Sequence, residues 1–232
     1  MRIDILTLFP VMCESVLGES IIGRARRENL VEINCHNIRD YADDKHRRVD
    51  DYPFGGGQGM IMRAEPIAKC FEAVCANAGS RPHLIVMSPK GAVFDQQKAK
   101  ELLQYENLCI LCGHYEGIDQ RVIDEIADEE ISAGDFVLTG GELPALMIAD
   151  AVARMLPGVL AAEQSFEQES HFSGLLEHPQ YTRPAVWRGK KVPDVLLSGN
   201  HSQVEKWQRE KAREETERLR PDLVGKKSQK CQ

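Results

Sequence analysis

The stretch that decides the fold is Leu108-Cys-Ile-Leu-Cys-Gly-His-Tyr-Glu-Gly-Ile-Asp119. It opens with the short apolar run Leu108–Cys112, which is typical of a strand buried on both faces of a sheet. A glycine-containing polar turn follows, and Asp119–Ala127 then has the spacing of a helix. A strand, a glycine turn and a helix in this order predict one unit of an α/β domain, with the turn at the carboxyl end of the strand.

The same alternation extends outward from this stretch over most of the chain. Parallel strands need crossover helices, so the pattern predicts a parallel sheet with helices on both faces. The predicted strands are Arg2–Phe9, Val31–Ile38, His83–Met87 and Leu108–Cys112, and the predicted helices are Glu14–Asn29, Ala64–Ala78, Asp95–Gln104, Asp119–Ala127 and Glu142–Leu156. The pattern ends near Pro157. We therefore expect an α/β domain over residues 1–160, a linker over 161–175 and a helical domain over 176–232, built on a charge-rich helix Gln203–Leu219.

The 232-residue chain has a formal net charge of −7, and its charges are unevenly distributed between its two ends. Residues 1–175 carry 16 Lys and Arg against 28 Asp and Glu, whereas residues 176–232 carry 13 against 8. A basic end on an acidic body indicates contact with nucleic acid, and a solvated charged helix is the alternative.

The start of the chain and its cysteines bear on where the protein works. Asp4 and Pro10 interrupt the first apolar segment, so we expect neither a signal peptide nor a membrane span. Seven scattered cysteines do not suggest a disulfide framework, and a cytoplasmic protein is expected. Cys109-Ile-Leu-Cys112 has no second pair, which favours a core strand over a zinc or redox site.

Four segments are rich in glycine and polar residues. Pro53-Phe-Gly-Gly-Gly-Gln-Gly-Met60 follows the cationic Lys45–Asp51 stretch, whose side chains could meet phosphates. Ser88–Gly91 directly follows the predicted strand His83–Met87 and Gly113–Asp119 directly follows Leu108–Cys112, so together with Ile131–Pro144 they can lie at one edge of the sheet. Backbone amides beside an apolar slot suit a nucleoside, and this juxtaposition predicts a nucleoside pocket.

Together with His178-Pro-Gln-Tyr-Thr-Arg-Pro184, these segments closely resemble the tRNA (guanine-N1) methyltransferases, a family of the SPOUT superfamily, in order and over nearly the whole chain. The resemblance implies a parallel sheet tied in a deep trefoil knot near the C-terminal end of the α/β domain, a small helical C-terminal domain that helps hold tRNA, and a homodimer with the active site at its interface. It also implies transfer of a methyl group from S-adenosylmethionine to N1 of guanine 37 of tRNA, next to the anticodon, which protects the reading frame. Mg²⁺ is possible on the resemblance alone, and no ligand cluster in the sequence predicts a metal.

The resemblance also assigns site residues. Arg154 matches the arginine that acts on the guanine, and Glu169 stands where the family usually has the aspartate base. The predicted tRNA-contacting residues are Asp50, Gly55, Gly56, Gly57 and Gly59. The predicted cofactor residues are Ser88, Pro89, Gly91, Gly113, Tyr115, Glu116, Gly117, Ala133, Gly134, Asp135, Phe136, Val137, Leu138, Gly140, Gly141 and Pro144. Ala133 and Phe136 depart from the expected Ile and Tyr.

The chemistry that this assignment predicts is simple. A carboxylate within hydrogen-bond reach takes the N1 proton of guanine, and a guanidinium stabilises the charge that then develops on O6. Three alternatives remain open at the level of sequence: a SPOUT enzyme acting on rRNA or on a ribose 2′-hydroxyl, a non-catalytic RNA-binding protein, and a Rossmann-type methyltransferase. The last would need a glycine-rich turn after its first strand, where this chain has Leu8-Phe-Pro10.

Overall fold

A computed structural model describes residues 1–161 and 169–225. The chain divides into two compact units, Met1–Ala162 and Glu163–Gln232. In the described part of the chain, no helix is long and apolar enough to cross a membrane.

The N-terminal unit is built on a parallel sheet, as the sequence predicted, and this sheet has five strands rather than the four predicted. Its strands, together with a short ribbon, are β1 Arg2–Thr7, β2 Glu32–Asn37, β3 Asp50–Asp51, β4 Ile61–Met62, β5 His83–Val93, β6 Asn107–Cys112 and β7 Glu129–Ser132. Its helices are α1 Pro10–Leu17, α2 Ser20–Arg27, α3 Ala64–Ala78, α4 Gln96–Leu102, α5 Gln120–Ile126 and α6 Glu142–Ala153. The sheet order is β2-β1-β6-β5-β7, and β3 pairs with β4 in a separate antiparallel ribbon.

The sheet buries both of its faces, which explains why its central strands are apolar throughout. On one face, Leu6, Val86 and Leu111 pack against Ile67 and Phe71 of α3. On the other side, α6 contacts both α1 and α4, and it also packs on β1 and β6. The interpretation of the Cys109–Cys112 pair as core strand is confirmed, since both thiols are fully buried in β6 and burial raises the pKa of each well above its usual value.

The sheet differs from the prediction in the end of one strand and in one additional strand. Strand β5 does not end at Met87 but continues through Ser88–Gly91 to Val93. Gly91 makes this possible, because a Cβ there would stand 2.4 Å from the carbonyl carbon and oxygen of Glu130 on the neighbouring strand. That strand, β7, was missed because Glu129 and Glu130 hide its apolar character.

The helix predicted over Glu14–Asn29 is two helices, broken between Leu17 and Ser20. Gly23 packs onto the break, where a Cβ would lie 2.2 Å from the carbonyl oxygen of Gly18. Helix α3 begins and ends where predicted, and Gly79 closes it with the left-handed conformation (φ 71°) that glycine adopts without strain. Helix α6 ends at Ala153, three residues before the predicted end.

The C-terminal unit contains a hairpin and a long helix. Its elements are β8 Val186–Trp187, β9 Lys190–Lys191, α7 Asp194–Leu197, α8 His201–Leu219 and α9 Pro221–Gly225. Asn200 caps α8 by accepting a hydrogen bond from the Gln203 amide, so the helix starts two residues earlier than predicted. Buried Thr216 accepts a hydrogen bond from the Leu176 amide, which attaches the preceding segment to α8. Of the predicted linker 161–175, residues 162–168 lie outside the described ranges.

Candidate active site

A cavity of about 450 Å³ opens where strands β5, β6 and β7 give way to their loops. Three chain segments form it: Val86–Lys90 of β5, Gly113–Ile118 after β6, and Glu130–Ala133 with Phe136–Gly141 after β7. Ile61, Gln120, Ile123 and Pro144 complete the lining. The volume lies within the range of about 300–1,000 Å³ that small-molecule sites occupy. The three predicted segments therefore meet at one edge of the sheet, although Ser88–Gly91 belongs to strand β5 rather than to a loop.

The loop after β6 is held in an unusual backbone conformation. Tyr115 has a positive φ of 59°, which a residue with a side chain adopts only when its surroundings impose it. Hydrogen bonds fix both flanks: the Glu116 amide donates to the Met60 carbonyl at 3.0 Å and the Met62 amide to the Gly117 carbonyl at 2.9 Å. The loop is thus clamped by the β4 ribbon, so its backbone amides are positioned before any ligand arrives.

The loop after β7 returns to the same place. The Gly141 amide donates a 2.8 Å hydrogen bond to the Gly113 carbonyl, and His114 and Gly140 form an antiparallel bridge. A Cβ on Gly141 would stand 2.7 Å from Cα of Cys112, so only glycine allows this approach. Between these fixed ends, Phe136, Val137 and Leu138 present exposed apolar side chains to the cavity.

The predicted tRNA-contacting loop lies beside this cavity. Asp50 stands in β3, paired with Met62 of β4, and the glycine-rich turn joins the two strands. Gly59 packs directly on the Glu116 side chain, since a Cβ there would fall 2.4 Å from its Cγ. Gly55, Gly56 and Gly57 all have positive φ and face open space or only the Pro53 ring at 3.7 Å. The two predicted sites therefore share a border at Glu116.

Most of the predicted cofactor residues line the cavity. Those that do are Ser88, Pro89, Gly113, Tyr115, Glu116, Gly117, Ala133, Phe136, Val137, Leu138, Gly140, Gly141 and Pro144. Gly91 instead packs on the Glu130 backbone, and Gly134 lies against the Phe136 ring, where a Cβ would stand 2.8 Å from a ring carbon. Asp135 is not part of the lining either. Gly91 and Gly134 therefore allow close packing of the chain, and none of the three residues lines the cavity.

Several lining residues were missed by sequence reasoning, among them Lys90, His114, Ser132 and Thr139. Each lies inside one of the glycine-containing segments described above, but none of the four was predicted to be a site residue. Ser132 is buried, and its hydroxyl both donates to the Gly134 carbonyl (3.0 Å) and accepts from the Gly134 amide (3.1 Å). Its spacing two residues before a glycine is the signal that could have indicated this turn.

The two predicted catalytic residues lie away from these loops along the chain. Arg154 caps the C-terminal end of α6, whose N-terminal end at Glu142 borders the loops. Twelve residues of helix separate the two ends by about 18 Å at 1.5 Å per residue. Glu169 belongs to the C-terminal unit, where it is half-buried and its carbonyl accepts a hydrogen bond from the Phe172 amide.

Comparison with known proteins matches nearly the whole chain. The family model described as tRNA (guanine-1)-methyltransferase TrmD matches residues 1–226. A protein of Ruminiclostridium cellulolyticum named tRNA (guanine-N(1)-)-methyltransferase is 57% identical over 226 residues, covering 97% of each chain. Proteins of the same name from Alkaliphilus oremlandii and Geobacter sulfurreducens are each 56% identical, over 97% of this chain and 92% of their own.

Proposed function

Because the chain belongs to the tRNA (guanine-1)-methyltransferase TrmD family and methylates N1 of a guanine in tRNA, we propose that it takes the methyl group from S-adenosylmethionine and delivers it to guanine 37. The modification beside the anticodon would then support the reading frame in the cytoplasm. The observation that carries the cofactor assignment is the convergence of three glycine-bearing segments on one cavity, sealed by the Gly141–Gly113 hydrogen bond.

The cavity fits the cofactor on its own chemistry. Apolar side chains of Phe136, Val137 and Leu138 offer faces for an adenine ring. The backbone of Gly113–Gly117 is held by the β4 ribbon and leaves polar groups for the ring edge and ribose. Gly141 allows two backbone segments to come closer than any side chain would permit. When bound, S-adenosylmethionine supplies a methyl group activated by the positive sulfur to which it is attached.

The residues of the chain then act on the guanine. In this proposal the Glu169 carboxylate accepts the proton on N1, which frees the nitrogen lone pair for the methyl group. Negative charge spreads to O6 as that proton leaves, and the Arg154 guanidinium stabilises it. Asp50, Gly55–Gly57 and Gly59 receive the target nucleotide next to Glu116, where the glycine-rich turn borders the cavity. Positioning supplies most of the remaining rate.

The position of Arg154 supports a homodimer with shared sites. The length of α6 separates Arg154 from the loops of its own chain by about 18 Å. A second copy could bring its own Arg154 to the cavity. Apolar side chains left exposed on adjoining helices favour such a contact: Val11, Met12 and Val16 of α1, Ile21 of α2, and Leu143 and Met147 of α6.

The proposal also covers the knot in the chain and the division of the chain into domains. We assign residues 1–160 to a cofactor domain with a deep trefoil knot, and residues 176–232 to tRNA binding, with 161–175 as linker. The close packing of Gly140–Gly141 on Cys112–Gly113 supports a chain that doubles back through this region. No group of three or more His, Cys, Asp or Glu among residues 1–161 and 169–225 could hold a metal ion, and no step is assigned to Mg²⁺.

Calorimetric titration with S-adenosylmethionine tests the cofactor assignment. We expect one binding site per chain, with competition by S-adenosylhomocysteine. A chain that binds tRNA but neither of these compounds would act as a non-catalytic RNA-binding protein and would contradict the proposal.

A further inference from the structure

The hairpin β8–β9 in the C-terminal unit exposes an aromatic ring among cations. It spans the stretch Arg183-Pro-Ala-Val-Trp-Arg-Gly-Lys-Lys-Val-Pro193, which contains four cations and no acid. Val186 pairs with Lys191 and Trp187 with Lys190. Arg188 and Gly189 form the two-residue turn with φ values of 49° and 78°, both positive as a type I′ turn requires. The hairpin is thus a short, defined element and not a loose loop.

Trp187 is the central feature of this hairpin. Its side chain is 58% exposed, although a tryptophan normally contributes to a core. The Arg188 guanidinium carbon lies 4.8 Å from the centre of its ring, within the range of a cation–π contact. Lys190 stands directly across the ribbon on the same face. The ring is therefore flanked by two positive charges and still open to a further stacking partner.

The long helix α8 differs sharply in its charges. Its sequence contains five Lys and Arg and five Glu, so its net charge is zero. Most of its cations form ion pairs within a turn of the helix: Lys206–Glu210, Lys211–Glu214, Arg213–Glu217 and Arg218–Glu215. In contrast, none of Arg183, Arg188, Lys190 and Lys191 forms an ion pair with a residue that the structure describes. Among the described residues of this unit, the unpaired positive charge is therefore concentrated in the hairpin rather than in α8.

We propose that the hairpin is an RNA-binding platform, on which an unpaired nucleotide of the substrate tRNA stacks against Trp187 while Lys190, Lys191 and Arg183 meet the adjacent phosphates. This inference rests on the proposed function, since it takes tRNA as the substrate. An aromatic ring among cations is what single-stranded RNA needs, because every base has a face to stack and every linkage a negative charge. A protein partner would fit less well, since it would have to neutralise four cations with no acid beside them.

Two matched double variants of the full-length protein test the platform. Lys190→Ala with Lys191→Ala removes two hairpin cations, and Lys206→Ala with Arg213→Ala removes two helix cations, so both change the net charge equally. We expect the hairpin variant to bind tRNA about tenfold more weakly, with the slope of log affinity against log salt reduced by about 1.4, or ~0.7 for each phosphate that is no longer neutralised. The helix variant should change little. Equal effects of the two variants would overturn the proposal.

Stacking is tested separately by fluorescence and by substitution. Trp187 and Trp207 are the two tryptophans of the chain, so Trp207→Phe leaves Trp187 as the reporter. We expect tRNA to quench its emission, and Trp187→Ala to weaken tRNA binding about tenfold or more while Trp187→Phe retains most of the affinity. Emission unchanged at saturating tRNA, or a change in oligomeric state with Trp187→Ala, would overturn the proposal.

The platform and the proposed function fail in different ways. If methyl transfer to tRNA is intact and the hairpin variants bind tRNA normally, the platform is wrong and the proposed function stands. If the wild-type protein transfers no methyl group from S-adenosylmethionine, the proposed function fails whatever the hairpin does.

Discussion

The Gly141 amide donates a 2.8 Å hydrogen bond to the Gly113 carbonyl, and this bond, together with the His114–Gly140 bridge, joins the loop after β7 to the loop after β6. A Cβ on Gly141 would stand 2.7 Å from Cα of Cys112 and 2.9 Å from the amide nitrogen of Gly113. Both atoms belong to backbone, which cannot swing aside as a side chain would. The approach of the two loops thus depends on the missing side chain.

Gly141→Ala, and more so Gly141→Val, should therefore open the cavity while leaving the sheet intact. We expect the affinity for S-adenosylmethionine to fall at least tenfold and the stability to fall by about 1–3 kcal/mol, as overpacking costs. Calorimetry and thermal unfolding measure the two effects. Gly113→Ala is the matched control for stability, because its Cβ would meet the Ile118 side chain at an ordinary 3.5 Å. Unchanged cofactor affinity in Gly141→Val would argue against the assigned cavity.

How much of this arrangement the sequence predicts depends on the kind of interaction. The strand–turn–helix unit around Leu108–Asp119 is local, and hydrophobic pattern and glycine placement suffice to predict it. The continuation of β5 through Gly91 is not local, because it depends on how closely the Glu130 backbone approaches. The contact between Gly59 and Glu116 likewise joins residues far apart in sequence. The resemblance to a family placed both residues in a site, but only the structure brings them together.

The apolar content of α6 does not by itself indicate dimerisation. The strongly apolar α6 buries Leu146, Ile148, Ala149 and Val152 within its own chain, so most of its hydrophobic character needs no partner. What remains is an exposed pair one turn apart, Leu143 and Met147, 48% and 50% exposed. The case for a second copy therefore rests on this surface and on the position of Arg154, neither of which periodicity could reveal.

Charge placed on that surface should separate the proposed dimer. We expect Leu143→Glu with Met147→Glu to yield a monomer in light scattering with little methyl transfer, because two carboxylates cannot be buried without partners. Leu219→Glu, at a comparably exposed apolar residue of α8, should leave the molecular mass unchanged. A wild-type chain that is monomeric and fully active at micromolar concentration would contradict the shared site.

Mixed dimers test the same prediction at the level of the site. Arg154→Ala and Gly141→Val homodimers should each be inactive, whereas a dimer with one chain of each keeps one site with both residues intact. We expect about half the wild-type activity from the mixed dimer. No recovery would place Arg154 and the cavity of one site on the same chain.

Asp4 provides a prediction about pH. It is fully buried, accepts a 2.7 Å hydrogen bond from Nε of Arg2 and lies 2.7 Å from Nε2 of His36. Burial alone would raise the pKa of Asp4, but the hydrogen bonds from His36 and Arg2 together outweigh it and hold the pKa below its usual range. Since the folded-state pKa is the lower one, the stabilisation is present above the unfolded-state pKa and is lost as pH falls through the folded-state value.

We therefore expect the free energy of unfolding to fall as the pH drops below about 4, and Asp4→Asn to flatten that slope while costing about 3 kcal/mol at neutral pH. Urea unfolding between about pH 2 and 7 measures both. Glu101→Gln is a control, because the Glu101 side chain is 47% exposed and solvent screens its contacts with Lys98 and Gln97, so its loss should change the slope much less. A slope in Asp4→Asn equal to that of the wild type would show that other groups govern acid stability.

Glu169 is the proposed base, and its substitution should separate chemistry from binding. Glu169→Gln keeps the shape and removes the basic oxygen, so we expect kcat to fall by roughly 10²–10⁴ with tRNA and cofactor affinities nearly intact. Glu169→Asp should retain activity, since it restores the carboxylate. Glu167→Gln is the neighbouring control, at a residue outside the described ranges. If glutamine is tolerated at 169 and not at 167, the base is Glu167.

Methylation of an unmodified tRNA transcript with guanines at positions 36 and 37, followed by mapping of the product nucleotide, tests the central claim most directly. With S-adenosylmethionine as donor, we expect 1-methylguanine at position 37 and no methyl transfer to a transcript with adenine there. A methyl group on a ribose 2′-oxygen or on a different base, or equal transfer to the adenine transcript, would contradict the account.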